Sequence, residues 1–503
     1  MNFVFNEILA LPMLAWCLRI EEGATKVDVM HGSGIDRHSD FFYEGCWSGN
    51  LTAIAMLDSP VCIASGGSIQ GEQLFIACPS NTVARVYIIK LNNILWASNS
   101  MAFVVASSEQ SLKTNYLFYR DDISSIINGL DKATKSLPLE GDSRIEMYCH
   151  CNILIKKNLE IRKLEKSACP KFATFSEYRN FLANCLNALF TNANLPDRLQ
   201  QFKPLVSISR GYDSVTCSVL AKEAGCEDAI TLFNPDSEEP YNDNGAVIAE
   251  TLGLKVKEFS RVAYKTINKE SEFLSLGTGG EDAFFAPFEN LLQGKVFISG
   301  FHGDKVWDKN CEHISDQIIR GDPSGGDLEE FRLRVGFIHM PMPFFGCRAH
   351  SDIVAISNSP EMNAWSIGGD YDRPICRRIA EEAGIERTSF GQKKRVMSRS
   401  FISEKLDWYF GSESLQEFLE FTSQHSLNPK FSDQILRKIW QFSNHIALVS
   451  GYFSYRLKSL IELIIQPLHR YALPFDIRRQ LFYWAFQKLL PRYTHALKDQ
   501  KNK

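Results

Sequence analysis

The residues with the clearest chemical use lie in Pro204-Leu-Val-Ser-Ile-Ser-Arg-Gly-Tyr-Asp-Ser-Val-Thr-Cys-Ser-Val-Leu-Ala. An apolar strand ends at Ser209, a sharp turn holds Gly211, and a helix begins at Asp213 or Ser214. A helix start leaves backbone N–H groups unpaired and carries partial positive charge, so it suits an anion. Gly211 lets the main chain come close to a phosphate, and Ser209 and Ser214 supply hydroxyl donors. Asp213 would repel a bare phosphate. It fits as a helix cap or as a Mg2+ ligand beside phosphates. An ordinary strand-turn-helix with Asp213 or Ser214 as a plain N-cap accounts for this segment equally well.

A second segment has the same build. Val296-Phe-Ile-Ser-Gly-Phe-His-Gly-Asp-Lys runs from an apolar strand into a glycine-rich turn that carries Asp304. Parallel strands bring their C-terminal ends to one edge of a sheet, where ligands bind. Two such turns, each with one carboxylate, could hold a single Mg2+ between Asp213 and Asp304. A lone Gly-Asp pair, by contrast, is more often only a turn.

The elements that must position these turns follow from periodicity. Residues 1–170 carry short runs that read as strands, at 52–56, 73–78, 84–90, 94–97, 102–106 and 151–155. Turn signals such as Gly66-Gly67 and Asn92-Asn93 separate them, and the pattern predicts a mostly antiparallel α+β domain. From 175 to 191 apolar residues fall at helical spacing. Strands at 205–209, 229–233 and 255–259 then alternate with helices at 214–224 and 245–252. Gly225 and Gly253 stop those helices. Such alternation implies right-handed βαβ crossovers and a parallel sheet, hence an α/β domain over 175–400. From 401 to 503 helical spacing dominates, around 418–421, 435–442 and 481–490.

Composition narrows the class. The 503 residues are 45% hydrophobic and 23% charged, with a net charge of -4. This is a globular balance, long enough for two or three domains, and it lacks the basic excess of a nucleic-acid binder. The 13 cysteines are odd in number and many sit in apolar runs, which points to a reducing, cytoplasmic setting rather than a disulfide scaffold. Residues 1–20 include Glu7 and no basic stretch before the apolar one, unlike a signal peptide. No apolar run reaches the roughly 18 residues that span a bilayer, so no membrane partner is expected.

The loop Ser209-Arg210-Gly211-Tyr212-Asp213-Ser214 resembles the Ser-Gly-Gly-x-Asp-Ser signature of the N-type ATP pyrophosphatases. The order of the later segments is similar to the asparagine synthetase family, over about residues 175–400. There a strand leads into Ser-Gly-x-Gly-x-Asp, matched by Ser299-Gly300-Phe301-His302-Gly303-Asp304 with its second glycine one place late. A later basic segment is matched by Phe390-Gly391-Gln392-Lys393-Lys394-Arg395. The stretch from Asp372-Arg373-Pro374 to Arg387 resembles asparagine-synthetase-like proteins of bacterial polysaccharide gene clusters. The resemblance implies an adenine-nucleotide α-hydrolase-like synthetase fold that binds ATP and Mg2+. It would adenylate a small-molecule carboxylate and pass the acyl group to an amine or ammonia, and it leaves room for a homodimer.

By the same resemblance, Ser209, Arg210, Gly211, Asp213 and Ser214 form the pyrophosphate loop, and Asp213 and Asp304 hold the metal. Leu232, Phe233, Ser299 and Gly300 line the adenosine site. Lys393, or its neighbour Lys394, faces the charge that develops on the acyl group. Arg210 departs from the signature. A left-handed conformation there would cost arginine about 1–2 kcal/mol, or its guanidinium serves an anion instead.

The N-terminal half resembles the family's Ntn-type glutaminase domain in the run Asn93-Ile-Leu-Trp-Ala-Ser-Asn-Ser. The family's nucleophile is an N-terminal cysteine. Asn2 stands there and the nearest cysteine is Cys17, so this half is expected to be a degenerate domain without glutamine hydrolysis. The β-lactam-forming synthetases and lasso-peptide cyclases share that arrangement. The first of these use a Tyr/Glu pair, and residues 336–339 offer no tyrosine.

Other constellations carry plainer expectations. Cys149-His150-Cys151 with Cys169 lacks zinc-ligand spacing. The glycine-rich stretches 277–280 and 321–326 read as loops near the substrate, and Glu281-Asp282 as acids complementing the next helix dipole. Glu238 and Glu239 read as solvated, and Asp236 as a residue able to approach the nucleotide. Arg332 and Arg334 are either ligands for an acidic substrate or a surface face. Cys217 falls on the buried side of its helix, which disfavours sulfur transfer. A relative that keeps the fold without catalysis is the alternative function.

Overall fold

The computed structural model describes residues 1–235, 242–393, 405–425, 429–451 and 477–501, together with Ile461, Leu468 and Tyr471. Up to residue 165 the chain forms β1 (Asn2–Glu7), β2 (Trp16–Glu21), β3 (Lys26–His31), β4 (Asp36–Arg37), β5 (Phe41–Glu44), β6 (Ser65–Gln70), β7 (Gln73–Ala77), β8 (Val86–Leu91), β9 (Ile94–Ser98), β10 (Ser136–Pro138), β11 (Arg144–Tyr148), β12 (Cys151–Ile155) and β13 (Ile161–Glu165). These make a sheet of order β1-β3-β2-β9-β8-β11-β10 and another of order β13-β12-β7-β6-β5-β4. All neighbours are antiparallel except β1 and β3, which are parallel. Alternate residues of both sheets, among them Trp16, Val29, Ile76, Ile88 and Ile153, share one apolar layer, so the sheets pack face to face. Trp16 Nε1 donates across that layer to Ser65 Oγ at 3.0 Å.

Two predicted strands here are helices. Residues 53–56 belong to helix Ala53–Asp58, whose N-cap Thr52 accepts from Ala55 N at 3.2 Å. Residues 102–106 belong to helix Met101–Ser107, capped by Ser100 accepting from Phe103 N at 3.1 Å. A five-residue run of apolar residues has no period to distinguish strand from helix, and the cap hydroxyl decides. Helix Met101–Ser107 covers the outer face of the larger sheet, against Cys17, Tyr87 and Ile89.

Helix Phe175–Ala193 opens with a capping box between Thr174 and Glu177. After it come β14 (Lys203–Ser207), β15 (Asp228–Phe233), β16 (Lys255–Ser260), β17 (Lys295–Ser299) and β18 (Ile338–Pro341), all parallel, in the order β16-β15-β14-β17-β18. The fold is thus mixed α/β, with two mostly antiparallel sheets, one parallel sheet and a helical C-terminal part. Both faces of the parallel sheet are apolar. Val206, Ile298 and Met340 meet helices Phe175–Ala193 and Tyr212–Glu223, while Leu205, Ile230, Phe297 and Phe337 meet the phenylalanine-rich segments 273–292 and 328–335. Helices Tyr212–Glu223 and Ala246–Thr251 connect successive strands, and Gly225 (φ 95°) and Gly253 (φ 65°) stop them as expected.

The chain proceeds outward from β14 to β15 and β16, then crosses back to place β17 on the other flank of β14. The strand order therefore reverses between β14 and β17, which opens a crevice beyond their C-terminal ends.

Helix Glu329–Val335 joins the sandwich to the parallel sheet through buried acids and bases. Arg332 forms a bidentate pair with Glu44 at 2.8 and 3.1 Å. Glu329 accepts from Tyr87 OH at 2.9 Å and Arg85 N at 3.1 Å, and Glu330 accepts from Ser100 and Tyr493 hydroxyls at 2.6 Å each. Arg334 pairs with Glu272 and Glu289. Both arginines are thereby committed to internal pairs, which corrects the two roles the sequence left open for them.

The C-terminal part is helical over Ser412–Gln424, Phe431–Gly451 and Arg478–Lys501. The last of these stacks Tyr493 on Phe103 at 5.0 Å and Trp484 against Phe410 and Phe418. All thirteen cysteines are free. Among the described residues no helix is long and apolar enough to cross a membrane.

Candidate functional site

The crevice at the reversal of strand order is a cleft of about 470 Å³. Its first wall is the loop after β14. Ser214 Oγ accepts from Ser209 N at 3.0 Å and donates towards Gly211 O at 3.2 Å. The two serine hydroxyls lie 2.9 Å apart, and Gly211 N donates to Ser209 Oγ at 3.1 Å. Helix Tyr212–Glu223 starts one residue before Asp213, the earlier of the two starts read from the sequence. Its N-cap is Gly211, which offers no side-chain cap. Asp213 sits inside the first turn and does not cap it. Its Oδ1 instead accepts from Arg373 Nη1 at 2.5 Å.

The second wall is the turn after β17, and it locks into the first. A Cβ on Gly303 would lie 2.6 Å from both Cγ and Oδ1 of Asp213, and one on Gly300 would lie 2.9 Å from the Asp213 carbonyl carbon. No side chain fits at either position, because the helix start is seated directly on this turn. The glycine that stands one place late in the motif is thus the one the packing requires. Between the two, His302 takes a left-handed conformation (φ 76°). Asp304 follows and lines the same cleft.

Of the residues singled out in the sequence, Ser209, Gly211, Asp213, Ser214, Leu232, Ser299, Gly300 and Asp304 lie around this one cleft. Three others do not. Phe233 alternates away from Leu232 along β15 and is not on the wall. Arg210 is outside the left-handed region, so its backbone carries no strain. Its N–H donates to Asp243 Oδ1 at 3.2 Å, and its carbonyl accepts from Gly391 N at 2.8 Å. Lys393 is exposed and off the cleft wall, while Lys394 and Arg395 lie outside the described residues, as do Asp236, Glu238 and Glu239. The 390s segment still reaches the loop, because Phe390 packs edge-on against Tyr212 at 5.7 Å.

The tertiary structure adds residues that periodicity could not find. Arg373 is buried beside Asp213, and its guanidinium lies over the Tyr371 ring at 5.0 Å. Asp372 fixes the approach to it by accepting from Ser366 Oγ at 2.5 Å, Gly368 N at 3.1 Å and Ile367 N at 3.2 Å. Ile230, Leu232, Phe284, Phe285 and Phe288 make an apolar side to the cleft.

Glu281, Asp282 and Asp322 also line the cleft. The 281–282 pair was expected to complement a helix dipole, yet Asp282 turns its Oδ2 to accept from Gly325 N at 2.6 Å. Burial, then the charges of Glu281 and Asp322, hold the Asp282 carboxyl up to about 7. Burial likewise raises Glu281. His339 binds Ser299 Oγ at 2.8 Å, and burial, aided by Arg332 and Arg320, pushes it down to about 3.

The thiols contribute little. Burial holds Cys17 up to about 12 and Cys149 up to about 11, and it raises Cys217 well above the ordinary thiol range. Cys149 and His150 lie in the turn between β11 and β12, and His150 has φ 53°. Among the described residues no group of three or more His, Cys, Asp or Glu side chains is placed to hold a metal ion. No protein-family model and no curated protein matches the chain.

Proposed function

We propose that the cleft binds Mg·ATP and that the protein is an AMP-forming carbon-nitrogen ligase of the asparagine-synthetase kind, on an adenine-nucleotide α-hydrolase-like fold. One observation carries this reading. The two glycine-rich turns interlock at the strand-order reversal and bring Ser209, Gly211, Asp213, Ser214 and Asp304 to a single cleft. The uncapped start of helix Tyr212–Glu223 and the two serine hydroxyls suit the phosphates. The side formed by Ile230, Leu232, Phe284, Phe285 and Phe288 suits a flat apolar ring such as adenine.

Two carboxylates without a third fit Mg2+, which commonly takes one or two protein carboxylates and completes its shell with phosphate oxygens and water. Asp213 and Asp304 would hold it, and bound there it would neutralise phosphate charge. For Asp213 to join, its pair with Arg373 must loosen. Arg373 would then face the phosphates or the carboxylate substrate, a use that suits a planar guanidinium.

The chemistry would join a carboxylate oxygen to the α-phosphorus and release pyrophosphate. An amine or ammonia would then displace AMP. The test is calorimetric titration with Mg·ATP of the wild type and Asp213→Ala, followed by product analysis over a carboxylate panel. Binding that requires Mg2+ and weakens tenfold or more in the variant is expected, with AMP as product. ADP as the only product would sink the ligase reading.

The Asp213–Arg373 pair and the exposed position of Lys393 favour a second reading, a non-catalytic nucleotide- or partner-binding relative. Stoichiometric ATP binding that ignores Mg2+, with no turnover on any acid, would select it.

A further inference from the structure

We propose that a second cavity, at the β10–β11 edge of the larger sheet, binds a small carboxylate with an apolar body, and that Arg85 pairs with its carboxylate. The cavity shares no wall residue with the cleft, and this site stands whether or not the cleft binds Mg·ATP.

The cavity has a volume of about 390 Å³, which is within the range of small-molecule sites. Ser136, Arg144, Cys151 and Lys163 line it from β10, β11, β12 and β13, so edges of both antiparallel sheets border it. Its apolar wall is Ile123, Ile126, Leu130, Ala133 and Met147. The stretch that carries Leu130 and Ala133 is tied to β11, because Met147 N donates to Lys135 O at 2.8 Å. Lys135, Arg144 and Lys163 are exposed, and the one acid on the wall is Glu146, which accepts from Tyr148 OH. Lys163 already pairs with Glu165 at 3.0 Å, and Arg144 donates to Ser136 Oγ at 2.8 Å. Exposed cations of this kind would say nothing of a ligand by themselves.

Arg85 is different. It directly precedes β8, is 8% exposed and lines the cavity. Its Nη2 donates to Ile123 O at 2.8 Å, and its Nη1 points at Met147 Sδ at 3.7 Å. Ile123 and Met147 are both wall residues, so the guanidinium itself stands at the cavity. A thioether is a weak acceptor. Among the described residues Arg85 forms no ion pair. Glu329, close by, accepts from the Arg85 backbone N at 3.1 Å and from Tyr87 OH at 2.9 Å. Burial pushes the Glu329 carboxyl up to about 8, so at neutral pH it is no counter-charge. A guanidinium stays charged when buried, and buried charges are normally paired. A bound carboxylate supplies the missing charge, and it matches the planar fork of arginine. One buried cation suits a monoanion. The apolar wall suits a carbon body rather than a bare ion. Lys135, Arg144 and Lys163 raise the local concentration of anions.

The test titrates the full chain by calorimetry with two matched probe pairs, octanoate against octanol and phenylacetate against phenylethanol, and with inorganic phosphate. At least one carboxylate should bind as one molecule per chain with Kd at or below about 1 mM. It should bind tenfold or more tighter than its alcohol and than phosphate. Arg85→Met should lose tenfold or more of that affinity. Ala133→Trp fills the cavity from a half-buried position and should lose it too, whether or not Arg85→Met folds. Urea unfolding shows which variants are folded. Saturating Mg·ATP should leave the carboxylate affinity within twofold. No carboxylate binding by wild type, or an alcohol or phosphate that binds as tightly, overturns the proposal. So does a folded Arg85→Met or Ala133→Trp that binds the carboxylate as wild type does, or a tenfold loss with Mg·ATP, which would put the carboxylate in the cleft. Carboxylate binding by a protein that does not bind Mg·ATP would instead overturn the ligase reading and leave this site standing.

Discussion

Replacing Gly303 by alanine tests the interlock on which the whole site depends. The added Cβ would sit 2.6 Å from Cγ and Oδ1 of Asp213 and 2.8 Å from its Cβ. Ordinary contact begins near 3.4 Å, so the turn after β17 and the start of helix Tyr212–Glu223 must separate by about 0.8 Å. Separation is resisted on the helix side, because Arg373 holds the same residue's carboxylate. Overpacking of this kind costs about 1–3 kcal/mol. Disturbing a hydrogen bond to a charged group adds about 1.5–3 kcal/mol if it is lost. A destabilisation of about 2–4 kcal/mol is expected, since the two costs relax together.

The assay is urea unfolding of the full chain, run beside Mg·ATP titration. Gly303→Ala should lose tenfold or more in Mg·ATP affinity even below its unfolding midpoint. The double variant Asp213→Ala/Gly303→Ala removes the two closest contacts. Its stability should exceed the additive expectation by at least about 1 kcal/mol. A Gly303→Ala protein within about 0.5 kcal/mol of wild type, or strictly additive effects, would refute the interlock.

Three further outcomes follow from the same geometry. Arg332→Leu leaves Glu44 buried without its bidentate partner and should cost about 3–5 kcal/mol in urea unfolding; the double variant Glu44→Leu/Arg332→Leu should recover most of it. His339 is held neutral, down to about 3, against an ordinary value of about 6.5. Below pH 6.5 the unfolded chain takes up a proton that the folded one refuses, so stability falls as pH drops from 6.5 towards 3, by up to about 4–5 kcal/mol. His339→Gln should flatten that acid limb in thermal melts and leave the alkaline side unchanged. Gly391 has φ 62°, and a Cβ there would meet the Tyr212 ring at 2.3 Å. Gly391→Ala should release the segment from the Arg210 carbonyl, read as faster limited proteolysis after Arg387.

The parallel sheet was legible because its inner strands are apolar on both faces and its helices end at Gly225 and Gly253, signals that are local and periodic. The loop 209–214 and the turn 299–304 were legible for a related reason. Glycine, serine and aspartate at a strand end carry their chemistry in their types. Residues 52–56 and 102–106 misled because short apolar runs have no period, and only the caps Thr52 and Ser100 separate helix from strand.

That Arg373 would face Asp213 was out of reach of any local pattern. Arg373 lies 160 residues from Asp213 and meets it only through the packing of helix Pro374–Glu382 on helix Tyr212–Glu223. Arg332 and Arg334 looked like ligands or surface until the acids that bind them were brought in from residues 44, 272 and 289. Asp282 gained its character in the same way, from Gly325, Asp322 and burial. What the sequence determined by itself was thus the set of turns able to hold an anion and the sheet that presents them. Which charges face those turns was decided by tertiary structure alone, because a side chain's partner and its desolvation depend on neighbours in space rather than along the chain.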